Sequence, residues 1–255
     1  MSKIAFDFTG ENYVVVGASS GMGRQIALEL ARSGAIVLAV ARREKCLQEL
    51  KQECPDNIEI GCLDVIEGKA EAWNGVLGEF VSKHGKLNGT VYTAGITGMT
   101  PLRSFDEDLA HKIVDTSFWG MVHFLQVATK KKYANPGASF VLFSSAAAYL
   151  GNKGQFAYSA AKASVQTVVR TFAKEFAPQK YRFNSISPGW VESEMTESFK
   201  QDNDGVSQSV IDAYILGLGK PENVGSVAMF LLSDGAGWIT GTDVVVDGGC
   251  MLSQD

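Results

Sequence analysis

The chain reads as an α/β protein: a doubly wound parallel sheet of about seven strands with helices on both faces, folded as one domain. Three observations predict this. Short apolar runs, several rich in Val and Ile, alternate along the chain with longer stretches of helical spacing. The runs lack the polar alternation of a strand with one wet face, which suits strands buried on both sides. No internal repeat, low-complexity segment or Pro/Gly/Ser linker divides the 255 residues, and an α/β domain of that length is commonly single.

The predicted strands are Asn12–Val16, Ala35–Val40, Ile58–Leu63, Gly89–Thr93, Ser139–Phe143, Phe183–Ile186 and Asp243–Val246. Helical spacing is marked by Ile26, Leu30 and Ala31, by Val76, Leu77 and Phe80, and by Val165, Val168, Val169, Phe172 and Phe176. Strand–helix alternation implies right-handed crossovers. In such a sheet the ligand site lies beyond the carboxyl ends of the strands, so chemistry-bearing motifs should follow the apolar runs.

Composition excludes several classes. With 45% hydrophobic and 20% charged residues the chain is neither a disordered polymer nor a membrane protein. A net charge of −5 argues against a nucleic-acid partner; the basic run Lys130–Lys132 reads as a solvated helix end. The 4 cysteines form no CxxC pair and the 3 histidines do not fall at ligand spacing, so no metal site is expected. Few cysteines, no apolar leader in residues 1–13, and no run near the roughly 20 residues of a membrane span lead to a cytoplasmic expectation.

After the first run comes Gly17-Ala18-Ser19-Ser20-Gly21-Met22-Gly23, directly before a helical pattern. Glycines at a strand-to-helix turn let the backbone approach a pyrophosphate closely, and the helix start offers free N–H groups to the anion. The second run ends in Ala41-Arg42-Arg43, where a carboxylate would normally bond an unmodified adenosine ribose. Arg42, with Arg43 beside it, can instead meet a 2′-phosphate, which favours NADP(H) and leaves NAD(H) possible. Asp64-Val65 ends the third run, and that aspartate either bonds an adenine amino group or caps the next turn.

Ser144-Ser145 follows the fifth run, and Tyr158-Ser159-Ala160-Ala161-Lys162 opens a strongly helical stretch. Tyr158 and Lys162, four apart, share one helix face. Taken alone, such a pair is common surface pattern. Beside a glycine turn it suits proton transfer, because an ammonium together with an oxidised nicotinamide would lower a phenol pKa from its usual value near 10. Ser145 could hydrogen-bond a substrate oxygen as charge develops there.

From Phe8 to Gly249 the chain resembles the short-chain dehydrogenase/reductase family, in the subgroup of about 250 residues with Gly-xxx-Gly-x-Gly spacing. The likeness rests on Gly17/Gly21/Gly23, Asp64-Val65, Ala94-Gly95, the Ser145 and Tyr158 pair, Lys162, Asn184-Ser185-Ile186-Ser187-Pro188-Gly189 and the stretch Gly241–Gly249. The resemblance implies a Rossmann-type domain with Tyr158 as general acid/base, Lys162 on the nicotinamide ribose and Ser145 on the carbonyl. It implies that Pro188-Gly189, Val191 and Ser193 hold the nicotinamide amide, and that the protein is a homotetramer. Three positions depart from the family pattern. Val16 replaces a Thr that braces the glycine turn, Thr93 replaces the Asn of Asn-Ala-Gly, and Ser117 replaces an Asn of a water-mediated relay to the lysine.

Residues 190–219 are expected to form a helical lid, with Trp190, Met195, Phe199, Ile211, Tyr214, Ile215 and Leu216 as candidate lining. Leu150, Phe156 and the Ile96–Leu102 loop are further candidate walls. An apolar pocket suits a lipophilic or acyl-like ketone better than a phosphorylated sugar. By resemblance, 3-oxoacyl thioester reductases come first, and hydroxysteroid or secondary-metabolite ketoreductases next. A cofactor-binding regulator or scaffold with little turnover is the alternative from another class, motivated by the three departures.

Overall fold

A computed structural model of the chain describes residues 4–197 and 208–252. Its strands are β1 (Asn12–Val16), β2 (Ile36–Ala41), β3 (Ile58–Cys62), β4 (Leu87–Tyr92), β5 (Ala134–Phe143), β6 (Arg182–Pro188) and β7 (Asp243–Val246). They form a 7-stranded sheet in the order β3-β2-β1-β4-β5-β6-β7, and every pairing is parallel. The reversal of winding falls between β1 and β4.

Alternation along the strands explains the two layers. In β1, Tyr13 and Val15 join one core while Val14 and Val16 join the other; in β2, Val37 and Ala39 oppose Leu38 and Val40 in the same way. The first core is closed by α1 (Gly21–Arg32), α2 (Glu44–Glu53) and α9 (Pro221–Leu232). The second is closed by α3 (Ala70–His84), α5 (Gly120–Ala128) and α7 (Phe156–Glu175). A smaller cluster, Ala110, Ile113, Ala157 and Ala161, packs α4 (Glu107–Val114) on α7. A π-helical turn, Asp115–Trp119, joins α4 to α5. No described helix is long and apolar enough to cross a membrane.

Strands β1 and β7 have the bounds expected from sequence, and most other ends differ by a residue or two. The larger difference is β5, which begins at Ala134 rather than Ser139. Ala134 pairs with Leu87 and Ser139 with Gly89, so the register shifts where Pro136 lacks a donor and Gly137 takes φ 82°. The expected helical lid is described only at its two ends. Among the described residues of 190–219, only 194–197 and α8 (Gln208–Asp212) are helical, and an isolated bridge joins Val191 to Gly219. Phe199 lies outside the described residues.

Aromatic packing under β5 and β6 anchors the second core. Phe140 and Phe183 stack with centroids 4.6 Å apart, and Phe172, Phe176 and Tyr181 surround them. Phe183 is fully buried. Truncation there leaves a cavity that rigid strands do not fill, so Phe183→Ala should cost about 3–5 kcal/mol, measured by chemical denaturation.

Candidate active site

The glycine turn is shaped by close approach. Gly17 takes φ 91°, and a Cβ there would lie 2.5 Å from Thr93 Oγ1 and 2.7 Å from the Ala94 nitrogen. A Cβ on Gly23 would collide with the Gly17 carbonyl and the same hydroxyl. Thr93 Oγ1 donates to the Val16 carbonyl at 2.9 Å, and Thr93 N donates to it at 2.8 Å. Val16 is fully buried. The hydroxyl missing from position 16 is thus supplied from β4, and two of the departures from the family pattern form one contact.

Helix α1 starts at this turn. Its N-cap, Ser20, is extended and makes no side-chain cap bond, so the first-turn N–H groups have no capping side chain. They open on a cleft of about 220 Å³. The cleft is lined by Gly17, Ser19, Ser20, Gly21, Met22, Gly23, Arg42, Arg43, Asp64, Val65, Thr93, Ala94, Gly95 and Ser193, all expected from sequence, and also by Ala41, Leu63, Ile96, Thr116 and Met195. A turn with no room for a Cβ, an uncapped helix start and two arginines on the rim together fit a phosphate-bearing dinucleotide. Arg42 Nη1 lies 3.4 Å from Asp64 Oδ2, and Asp64 Oδ1 accepts from Ile66 N at 2.9 Å. Asp64 therefore caps its own turn while it lines the cleft.

At the carboxyl end of β5, Ser144 and Ser145 diverge. Ser144 is buried, and its Oγ donates to the Lys162 carbonyl at 2.8 Å. Ser145 Oγ accepts from Ala147 N at 3.2 Å, at the start of α6 (Ala147–Leu150), and is hydrogen-bonded to the Tyr158 hydroxyl. Lys162 is 4% exposed, and its Nζ donates to the Phe143 carbonyl at 3.0 Å. Gln166 Nε2 donates to Ser187 Oγ at 3.1 Å, so α7 is tied to both β5 and β6. Ser144 and Gln166 were not foreseen, since isolated polar residues carry no sequence signal of such bracing.

Burial governs the electrostatics of the Tyr158 and Lys162 pair. Burial pushes the Lys162 ammonium down to about 8. Burial also raises Tyr158 above its usual value, and the hydrogen bond with Ser145 offsets this only in part. Lys162 Nζ stands 5.8 Å from the centre of the Tyr158 ring. Desolvation of the phenolate dominates, so the lysine alone does not bring Tyr158 toward neutrality. Ser117, in the π-helical turn, is 1% exposed, and its Oγ has no protein hydrogen-bond partner. A Cβ built on Gly95 would lie 3.0 Å from Lys162 Nζ and 3.3 Å from Ser117 Oγ, so both side chains converge on that glycine.

A second cavity of about 130 Å³ holds Ser145, Tyr158, Leu150, Pro188, Gly189, Trp190, Met195 and Tyr214. Met195 lines both cavities. Tyr214 Oη accepts from Trp190 N at 3.0 Å, which pins the base of the lid. Phe156 is a correction: it is 43% exposed, meets Phe105 edge-on and does not line the cavity. Ile215 and Leu216 point to solvent in the same way, 63% and 84% exposed. Val191 is buried in the first core, so only its main chain is available to a ligand. Thr97, in the expected Ile96–Leu102 wall, also lines the cavity, and so do Asn152 and Gln155, which carry no sequence signal of it. Asn152 Nδ2 donates to Gln155 Oε1 at 3.0 Å, and Gln155 Nε2 donates to Thr97 Oγ1 at 3.3 Å. Among the described residues no group of three or more His, Cys, Asp or Glu side chains could hold a metal ion.

Comparisons with known proteins agree with this geometry. The family model described as Enoyl-(Acyl carrier protein) reductase matches residues 17–251. The chain is 30% identical to a 3-oxoacyl-[acyl-carrier-protein] reductase of Thermotoga maritima, covering 95% of this chain and 98% of that one. It is 32% identical to a 3-oxoacyl-[acyl-carrier-protein] reductase of Rickettsia conorii, covering 96% and 99%. A solved short-chain dehydrogenase/reductase from Mycobacterium ulcerans superimposes with a TM-score of 0.89 at 29% identity, covering 97% of this chain and 92% of that one. The chain belongs to the short-chain dehydrogenase/reductase family.

Proposed function

We propose that this NAD(P)-dependent carbonyl reductase uses NADPH to reduce the 3-oxo group of an acyl thioester to a secondary alcohol, with Tyr158 as proton donor. The observation that carries this reading is the cavity that Ser145 and Tyr158 line together with Asn152 and Gln155. A 3-oxoacyl thioester has a second carbonyl two carbons from the first. One wall can hydrogen-bond the reacting oxygen and the amide wall the other, while Leu150, Trp190 and Met195 take the acyl chain. The relatives named as 3-oxoacyl reductases support the same substrate class. Ala41, Arg42 and Arg43 at the end of β2 support the phosphorylated cofactor.

A bound nicotinamide supplies the hydride that reaches the carbonyl carbon. As the C=O electron pair moves to oxygen, Ser145 donates a hydrogen bond and Tyr158 delivers its proton, giving the alcohol. The raised pKa of Tyr158 keeps the phenol protonated for this direction. The ammonium of Lys162 stabilises the phenolate left behind, and Ser117 extends the polar path inward from Lys162. Assembly into a homo-oligomer, with a tetramer expected by resemblance, is supported by the edge strand β7 with Val245 exposed, and by Trp238, fully exposed on the preceding turn. Sedimentation at micromolar concentration tests it: an oligomer is expected, and a monomer would refute it.

Three-oxoacyl thioesters and simple ketones should be assayed with NADPH. Tyr158→Phe should lower kcat about 10²–10⁴-fold while cofactor binding persists; undiminished turnover would remove Tyr158 from the mechanism. Reduction should also fall as pH rises through about 8, where Lys162 loses its proton. A profile flat to pH 10 would show that the ammonium is not needed.

A further inference from the structure

The two arginines on the rim of the cofactor cleft are held differently. Arg42 reaches only toward Asp64, at 3.4 Å. Arg43 is locked across the glycine turn: Nη2 donates to Ser20 Oγ at 2.6 Å and to Ser19 Oγ at 3.1 Å, and Nε to Ser19 Oγ at 3.3 Å. Its Nη1 donates to Glu194 Oε2 at 2.7 Å. Glu194 stands 151 residues further along the chain, in the helical stretch 194–197 at the base of the lid. Ser193 caps that stretch, since Thr196 N donates to Ser193 Oγ at 3.3 Å. Ser193 and Met195, on either side of Glu194, both line the cleft.

A carboxylate therefore occupies one arm of a rim guanidinium that the glycine turn holds in place. The pair is solvent-accessible, with side chains 47% and 63% exposed, so it adds little to stability. Its weight lies in what it does to a competing anion. We propose that Glu194 is a specificity-determining residue of the cofactor site: its carboxylate competes with the 2′-phosphate of NADP(H) for Arg43 and holds down the preference over NAD(H). This rests on the reading of the cleft as a dinucleotide site.

A ribose 2′-phosphate carries close to two negative charges near neutral pH and takes guanidinium donors in pairs. To use Arg43 it must come within a few ångströms of Glu194, where like charges repel even across water. Ser19 and Ser20 fix the guanidinium, so the carboxylate is the group that yields. An unmodified ribose hydroxyl is neutral and leaves the pair intact. Arg42 and Arg43 face Asp64 and Glu194, so the rim draws a phosphate less strongly than two unpaired arginines would. The base of the lid is bonded to the end of β2 with one cofactor and released from it with the other.

The test uses the purified full-length protein and Glu194→Gln, which keeps the size of the side chain and removes its charge. Calorimetry gives affinities for NADPH, NADH, adenosine 2′,5′-bisphosphate and 5′-AMP at low and high salt. Glu194→Gln should tighten NADPH and the bisphosphate about three- to tenfold at low salt, shrinking at high salt, and leave NADH and 5′-AMP within about twofold. Adding Arg43→Gln should abolish the gain. Equal changes for both cofactor types, or weaker NADPH binding, would overturn the proposal. Failure of the unmutated protein to bind either dinucleotide would instead overturn the reading of the cleft.

Discussion

Where β1 and β4 part, the Thr93 side chain reaches across to the Val16 carbonyl, and the site is assembled around that contact. The strands run parallel, so their chain continuations leave from the same edge and turn to opposite faces at this point. The hydroxyl occupies the volume that a Cβ on Gly17 or Gly23 would need. The glycines are thus required by packing inside the protein. Ala94, next in the chain, lies against Gly17, and Gly95 after it lies against Lys162 and Ser117, so one short loop runs from the glycine turn to the buried lysine.

The chemical end depends on burial at some cost. Bringing Lys162 from its usual range to about 8 corresponds to roughly 3 kcal/mol of unfavourable desolvation for the charged form. The Phe143 carbonyl and the Ser144 bracket hold the side chain and its helix in place despite that cost. Such a group is retained for what it does to a neighbour rather than for stability. Tyr158 is raised by the same burial, so its phenol is held in the protonated form.

Much of this was legible in the sequence, for identifiable reasons. β1 and β2 were visible because burial on both faces forces continuous apolar runs, and the glycine turn because its position after a strand is as informative as its composition. β5 was misjudged at its start because Pro136-Gly137 signals a turn locally while pairing with β4 overrides it. Phe156, a candidate wall by sequence, stands two positions from Tyr158, and on a helix that spacing means different faces. Spacing alone could not say whether desolvation or the lysine charge would govern Tyr158, because that depends on depth. Asn152, Gln155 and Glu194 lie in irregular segments where polar residues are the norm, and only proximity in space singles them out.

The bridge between Val191 and Gly219 makes the segment between them leave the body and return at one place. An excursion closed at its neck is a detachable module: its length and composition can change at only a slowly growing entropic cost. The strand pairings of the sheet lie outside that segment. A lineage can therefore retool what enters the pocket without reopening the problem of how the chain folds.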